Sequence, residues 1–325
     1  IRDVAVTGVQ TCALPISLMT VSAVPLAFSL SAGVLIGLSL SGVTYSVIYG
    51  VVGRTFPAEK RSQAMGYIAA AGSFGQFMMV PVEQWLIGST GWNHALLALA
   101  LIALIMLPTA LGLREAPHAR SSGGQTIKQA LAEAFRNGSF WLLTAGYFVC
   151  GFQVVFIAVH LPSYLKDAGL GPNVAVTALA LIGLFNIAGT WAAGSLGARL
   201  PKKYLLTFIY SARSVVIALF LLAPLSPLSV YIFASAMGLL WLSTIPLTNG
   251  IVGVVFGVRY LAMLGGFVFF SHQIGSFFGV WLGGRIYDVT GNYNAVWMIA
   301  IALGIFAALI NMPIREKPLA RLAAA

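Results

Sequence analysis

Gln76, Gln153, Asn186, Trp241 and the adjacent pair His272 and Gln273 interrupt long apolar stretches of this sequence, each about 11 to 13 residues from the nearer end. At a rise of about 1.5 Å per residue, that depth is the middle of a hydrocarbon layer about 30 Å thick. Polar groups there are costly unless they face a partner or a cavity, so each is a candidate for lining a substrate path. The chemistry on offer is hydrogen bonding, with one titrating group: His272 can change charge near physiological pH and move a proton, or it can be a neutral core histidine. Asn and Gln also join helices at about 0.6–2 kcal/mol per contact without touching a ligand. Both readings stand at this stage for Gln76, Gln153 and Asn186.

Arg213 is a full positive charge deep in an apolar stretch, and its planar fork can grip a carboxylate through two parallel hydrogen bonds. The alternative is a long stem that carries the charge back to the membrane surface. Trp241, Ser243, Thr244, Pro246, Thr248 and Asn249 form a proline-interrupted polar run that can unwind and expose carbonyls, or simply kink. Tyr45 and Tyr49 offer phenol hydroxyls that bind a solute or pack. His160 and Glu83 lie toward stretch ends, where an entrance or rim role is expected.

The elements that hold these residues follow from composition. Hydrophobic residues make up 59% of the chain and charged ones 8%, with a mean hydropathy of +0.92. A soluble domain carries roughly 25% charged residues, so this is a polytopic membrane protein. Nine stretches, 27–53, 64–87, 93–113, 140–164, 174–198, 204–224, 229–257, 261–284 and 294–314, reach the roughly 20 residues a membrane helix needs, and residues 17–24 read as the stump of another. They are apolar around the whole circumference, which selects helices over a barrel and an all-α fold. Trp85, Trp92, Trp141 and Trp297 near stretch ends suit an interfacial belt.

The net charge of +10 resembles a nucleic-acid signal, yet the basic residues sit at alternate joints: Arg54, Lys60 and Arg61; Arg114, Arg120, Lys128 and Arg136; Arg199, Lys202 and Lys203; Arg259; then Arg315, Lys317 and Arg321. The other joints carry only Lys166 and Arg285. Topology explains that pattern and no nucleic-acid partner is expected; the first set is cytoplasmic, and so is the C-terminus. Cys12 and Cys150 make neither a disulfide framework nor a metal cluster, and Cys150 reads as a small packed apolar residue. No catalytic residue, metal or cofactor is expected, because no nucleophile lies beside a base and no Asp lies within a span. An integral-membrane enzyme, or a receptor or scaffold that binds without moving its ligand, remains as the alternative.

Arg61 to Met65 and Arg259 to Met263 form a faint repeat about 200 residues apart, each opening a long apolar segment, as in transporters built from two related bundles. Residues 1–16 resemble an in-frame translation of a sequencing adapter and are set aside from the fold. The remainder divides into 17–113, the rest of an N-terminal bundle; 114–139, a linker with an amphipathic helix at 127–136; 140–314, a six-helix bundle; and 315–325, a tail. The repeat offset implies helices upstream, twelve spans in all.

Gly194-Ser195-Leu196-Gly197-Ala198-Arg199-Leu200-Pro201-Lys202-Lys203 is a degenerate form of the cytoplasmic motif of the major facilitator superfamily, with Ala198 in place of its aspartate. Over 17–315 the chain resembles that superfamily. Gly284 to Tyr293 looks like the branch with monocarboxylate porters and oxalate–formate antiporters. The resemblance implies two bundles rocking about a central cavity, with 27–53, 140–164 and 229–257 among the lining helices. It also implies a monomer in a bacterial inner membrane, moving a small organic anion with a proton or counter-anion; Gly194, Arg199, Lys202 and Lys203 are its motif residues.

Overall fold

In a computed structural model, the described residues are 13–21, 24–41, 44–105, 108 and 125–323, and among them there is helix and no strand. Most of the adapter-like segment falls outside them, as do residues 114–124 of the linker. Residues 13–20 form α1. α2 (Pro25–Ser29), a π-helical turn (Leu30–Leu35) and α3 (Ile36–Ser41) precede α4 (Tyr45–Thr55) and α5 (Ala58–Leu104). The amphipathic α6 (Ile127–Phe135) leads into α7 (Gly138–Asp167), α8 (Pro172–Gly197), α9 (Lys202–Leu222), α10 (Pro227–Leu240), α11 (Thr244–Phe256), α12 (Leu261–Thr290), α13 (Asn294–Asn311) and the short α14 (Ala320–Ala323).

Local chemistry places the boundaries. Thr126 and Gln129 close a capping box at the start of α6, and Ser226 and Ser229 another at α10. Prolines open α8 and α10, where the missing N–H has no helical partner to lose. Gly257 (φ 83°) and Gly291 (φ 69°) end α11 and α12 in backbone conformations that favour glycine.

Among the described residues, eight stretches are long and apolar enough to cross a membrane. The expected spans 64–87 and 93–113 run together in α5, where Gly91 breaks the helical backbone (φ 77°, ψ 162°), and 106–107 and 109–124 lie outside the described residues. The expected span 229–257 is two helices, α10 and α11, divided at Trp241–Ser243. Trp297 corrects the belt expectation: it is 1% exposed and packs edge-on against Phe156, 4.8 Å between centroids, whereas Trp85, Trp92 and Trp141 are exposed.

Small residues set the packing. A Cβ on Gly151 would lie 1.9 Å from the His272 carbonyl oxygen, and one on Gly275 would lie 1.9 Å from that of Phe148, so α7 and α12 meet backbone to backbone. α8 is held the same way on both sides, by Gly189 against Leu239 of α10 and by Gly194 against Gly66 of α5.

The α5–α8 seam continues from Ser62 beside Gly197 to Phe77 beside Gly183, and Gly50 and Gly53 of α4 meet Ala262 and Leu261 at the start of α12. These contacts close the end of the molecule that carries Arg61, Arg199, Lys202 and Lys203. Toward the other end the helices part. Glu83 and Gln84 of α5 face Pro162, Ser163 and Lys166 of α7 across a cavity of about 570 Å³.

A direct test of this closed end is available, because Ser62 Oγ lies 2.7 Å from where a Gly197 Cβ would be. Ser62→Cys with Gly197→Cys is expected to form a disulfide under mild oxidation, since that proximity suits the Cβ spacing of about 3.5–4.5 Å a disulfide spans. Flux measured before and after reduction reads the result. A fully cross-linked protein that still transports would mean this end never opens.

Candidate functional site

α7 sets one wall of the polar centre. Tyr147, Cys150 and Gln153 follow at three-residue spacing and so share a helix face. All three are buried. Opposite them, α9 brings in Arg213, which is 0% exposed. Its five N–H groups are all engaged within the protein. Nε donates to the Leu240 carbonyl at 3.2 Å, and Nη2 to the same oxygen at 2.7 Å and to the Trp241 carbonyl. Nη1 donates to Gln153 Oε1 and to Cys150 Sγ, both at 3.4 Å.

Leu240 and Trp241 are where α10 ends, and the last carbonyls of a helix have no partners of their own and carry partial negative charge. Arg213 therefore neither grips a ligand nor snorkels in this conformation. It caps the break between α10 and α11, so the carbonyls that the Trp241 run exposes go to Arg213 and not to a solute. Asn186 holds the other side of the break: its Oδ1 accepts the Leu242 N–H at 2.9 Å. Pro246 falls in the first turn of α11, where it displaces no helical hydrogen bond.

Gln153 completes this net by donating from Nε2 to the Ala300 carbonyl at 2.9 Å, with Gly304 of α13 leaving room for it. Thr244 Oγ1 sits 3.2 Å from Cys150 Sγ. Gln153, Asn186, Arg213, Trp241 and Thr244 thus form one buried cluster among α7 to α11. Among the described residues the hydrogen-bond partners of Arg213 are carbonyls, an amide oxygen and the Cys150 sulfur, with no carboxylate.

His272 and Gln273 part company, because neighbours on a helix point about 100° apart. His272 is 6% exposed, with its ring stacked on Phe269 (5.3 Å) and 5.0 Å from that of Tyr147. Its Nδ1 lies 3.1 Å from Gln273 Oε1 and 3.4 Å from Ser276 Oγ. His272 Nε2 and the Tyr147 hydroxyl are both buried without a hydrogen-bond partner. Gln273 is exposed and lines a cavity of about 610 Å³ with Tyr45, Thr44 and Phe269, between α4 and α12. Tyr45 reaches α5 at Gly72, whose Cβ would meet the Tyr45 hydroxyl at 2.3 Å.

The single layer expected at the midplane therefore divides: depth alone did not say which way each side chain faces. Gln76 is half-buried on α5, apart from the cluster. His160 is half-buried, with its Nε2 3.0 Å from the Val280 carbonyl and its ring against Gly283. Tyr49 donates to the Met65 carbonyl at 2.9 Å and is fully buried. Cys150 and Tyr147 are functional candidates that composition alone hid, although their spacing with Gln153 marks the stripe. Of the motif residues, Gly194 is a bundle contact, Lys202 and Lys203 open α9, and Arg199 follows α8.

Asn186→Leu is expected to leave the Leu242 amide bare and lower stability by about 1–2 kcal/mol. Equilibrium unfolding in mixed micelles measures it; an unchanged midpoint would deny Asn186 this capping role.

The helices meet along glycine seams around a broken helix and a buried polar centre, and the family model for the Major Facilitator Superfamily matches residues 1–279. The chain belongs to the major facilitator superfamily. It is an integral membrane protein of a transporter family. Among facilitators similar to it is YcxA of Bacillus subtilis, an uncharacterized MFS-type transporter, 25% identical over 304 residues that cover 87% of this chain and 72% of YcxA. Monocarboxylate transporter 13 of Bos taurus is 28% identical over 293 residues, covering 87% of this chain and 67% of that protein. The Escherichia coli fucose:proton symporter FucP superposes with a TM-score of 0.70 over 95% of this chain and 83% of FucP, at 15% identity. The proton:xylose symporter XylE gives 0.71 over 99% and 82%, also at 15%; both show the shared facilitator fold.

Proposed function

We propose that the protein is a secondary active transporter of a small organic anion, a carboxylate, working by alternating access with a proton or a counter-anion. The observation that carries this reading is the buried charge of Arg213, which has no acid among its partners in the described residues. The carbonyls around it balance the charge only in part, so the polar centre is electrostatically suited to a negative guest. Tyr147 and His272 add unpartnered polar atoms next to it. The monocarboxylate transporters among its relatives support the same substrate class. In this reading the basic, closed end is the cytoplasmic one, the membrane is a bacterial inner membrane, and the protein acts as a monomer.

The test is uptake into proteoliposomes. Labelled monocarboxylates should accumulate saturably under an inward proton gradient or against a preloaded anion. Saturable transport of a cation with indifference to carboxylates would overturn the assignment. His272→Gln separates the coupling modes: proton-driven uptake should fall at least about tenfold while anion exchange survives, if the imidazole carries the proton. Equal loss of both would give His272 a structural role.

A further inference from the structure

The closed, basic end contains a cavity of about 490 Å³ that the transport reading does not use. It lies where the two halves meet. Arg61 and Ser62 line it from the start of α5, Lys202 from the start of α9, and Gly250 from α11. Ser62 is 5% exposed, and its hydroxyl is buried without a hydrogen-bond partner. Burying an unsatisfied hydroxyl is costly, so it marks a place where something else completes the bonding.

Two cations line the same cavity as that hydroxyl. A Cβ on Gly197 would touch Ser62 Oγ at 2.7 Å and the Lys202 stem at 3.7 Å, so both flank one glycine. The Lys202 stem also runs over Gly250, whose Cβ would lie 2.8 Å from Lys202 Cε; the stem therefore crosses the cavity wall half-buried. Among the described residues Arg61 is held through Nε alone, on the Phe56 carbonyl at 2.9 Å. The nearby acid, Glu316, accepts the Lys203 backbone N–H and so caps α9, and its charge also acts on Lys202. α5 begins without a side-chain cap and carries Glu59 in its first turn.

We infer that this cavity is a phosphate site, in which Arg61, Lys202 and the Ser62 hydroxyl hold one tetrahedral oxyanion between the two halves. A phosphate group offers acceptors in several directions at once, matching donors that arrive from α5 and α9. The same chemistry is met by a free or solute-borne phosphate and by the head group of an anionic lipid. Because Arg61 and Lys202 belong to different halves, the site exists only while this end is closed. The inference stands apart from the identity of the transported solute.

Inorganic phosphate titrated into the purified full-length chain in neutral detergent, at matched ionic strength against chloride, is the first arm. Nanodiscs of phosphatidic acid against phosphatidylcholine are the second, read as melting temperature. Lys202→Gln and Arg61→Gln should each weaken the response about tenfold or more, and Lys202→Arg should preserve it, showing that charge and not folding was lost. A response to free phosphate assigns a soluble ligand, and a response to phosphatidic acid alone assigns a lipid head group. No response in either arm, or one that both glutamine variants leave unchanged, would overturn the site.

Discussion

Arg213→Met is expected to abolish transport and to lower stability by about 2–4 kcal/mol, the largest effect of any single side chain in the polar centre. Two terms oppose each other. Methionine removes a buried charge, whose desolvation costs several kcal/mol and whose replacement by an apolar group is in other proteins neutral or stabilising. It also strips the donors from Leu240, Trp241 and Gln153, leaving carbonyl oxygens bare in a dry interior at about 1–3 kcal/mol each. The second term wins because five hydrogen bonds and the α10 terminus already solvate the guanidinium. Arg213→Lys keeps the charge but not the fork, so it should retain most of the stability and little of the flux. Unfolding in mixed micelles, paired with uptake, measures both. An Arg213→Met protein as stable and active as the parent would remove Arg213 from the site and from the fold argument together.

Gly275→Ala should produce a comparable loss by a different route. Its new methyl group would sit 1.9 Å from the Phe148 oxygen and 2.8 Å from that residue's carbonyl carbon, both backbone atoms that cannot rotate away. α7 and α12 must then separate, which moves His272 away from Tyr147 and disturbs the Cys150 and Gln153 stripe behind it. Overpacking of this kind costs about 1–3 kcal/mol, and the reciprocal contact at Gly151 leaves little room to share the strain. The expected result is a sharp drop in folded, monodisperse protein and no measurable uptake. Gly266→Ala on the same helix is the control: nothing lies within 4 Å of its Cβ, so helix propensity should make it neutral or stabilising by up to about 1 kcal/mol. If both substitutions behave alike, close helix contact is not what Gly275 provides.

How much of this was legible beforehand differs by residue. The spans were, since 20 consecutive apolar residues have few alternatives to a membrane helix, and the amphipathic helix at 127–136 was found one residue longer than α6. Pro246 and its polar neighbours left a break or a simple kink open for the 229–257 span, and the break falls at Trp241–Ser243. What receives the freed carbonyls was not legible, because the answer is Arg213, on a different helix and 28 residues away along the chain. Depth counting put His272 and Gln273 in one layer, but a residue's depth carries no information on its azimuth, and the two face opposite surroundings. Cys150 looked like a packing residue until Arg213, Thr244 and Gln153 were placed around it.

By itself, the sequence determined that this chain is a membrane-spanning helical protein, that its basic residues cluster at one side, and that its polar residues lie in mid-span. Those properties follow from the transfer energies of single residues and from the pitch of one helix, so they need no partner to be read. Which donors are spent and which are open was decided only by the tertiary structure. A hydrogen bond needs two groups at the right distance and angle, and here the partners come from different helices brought together by glycine contacts that are scattered along the chain.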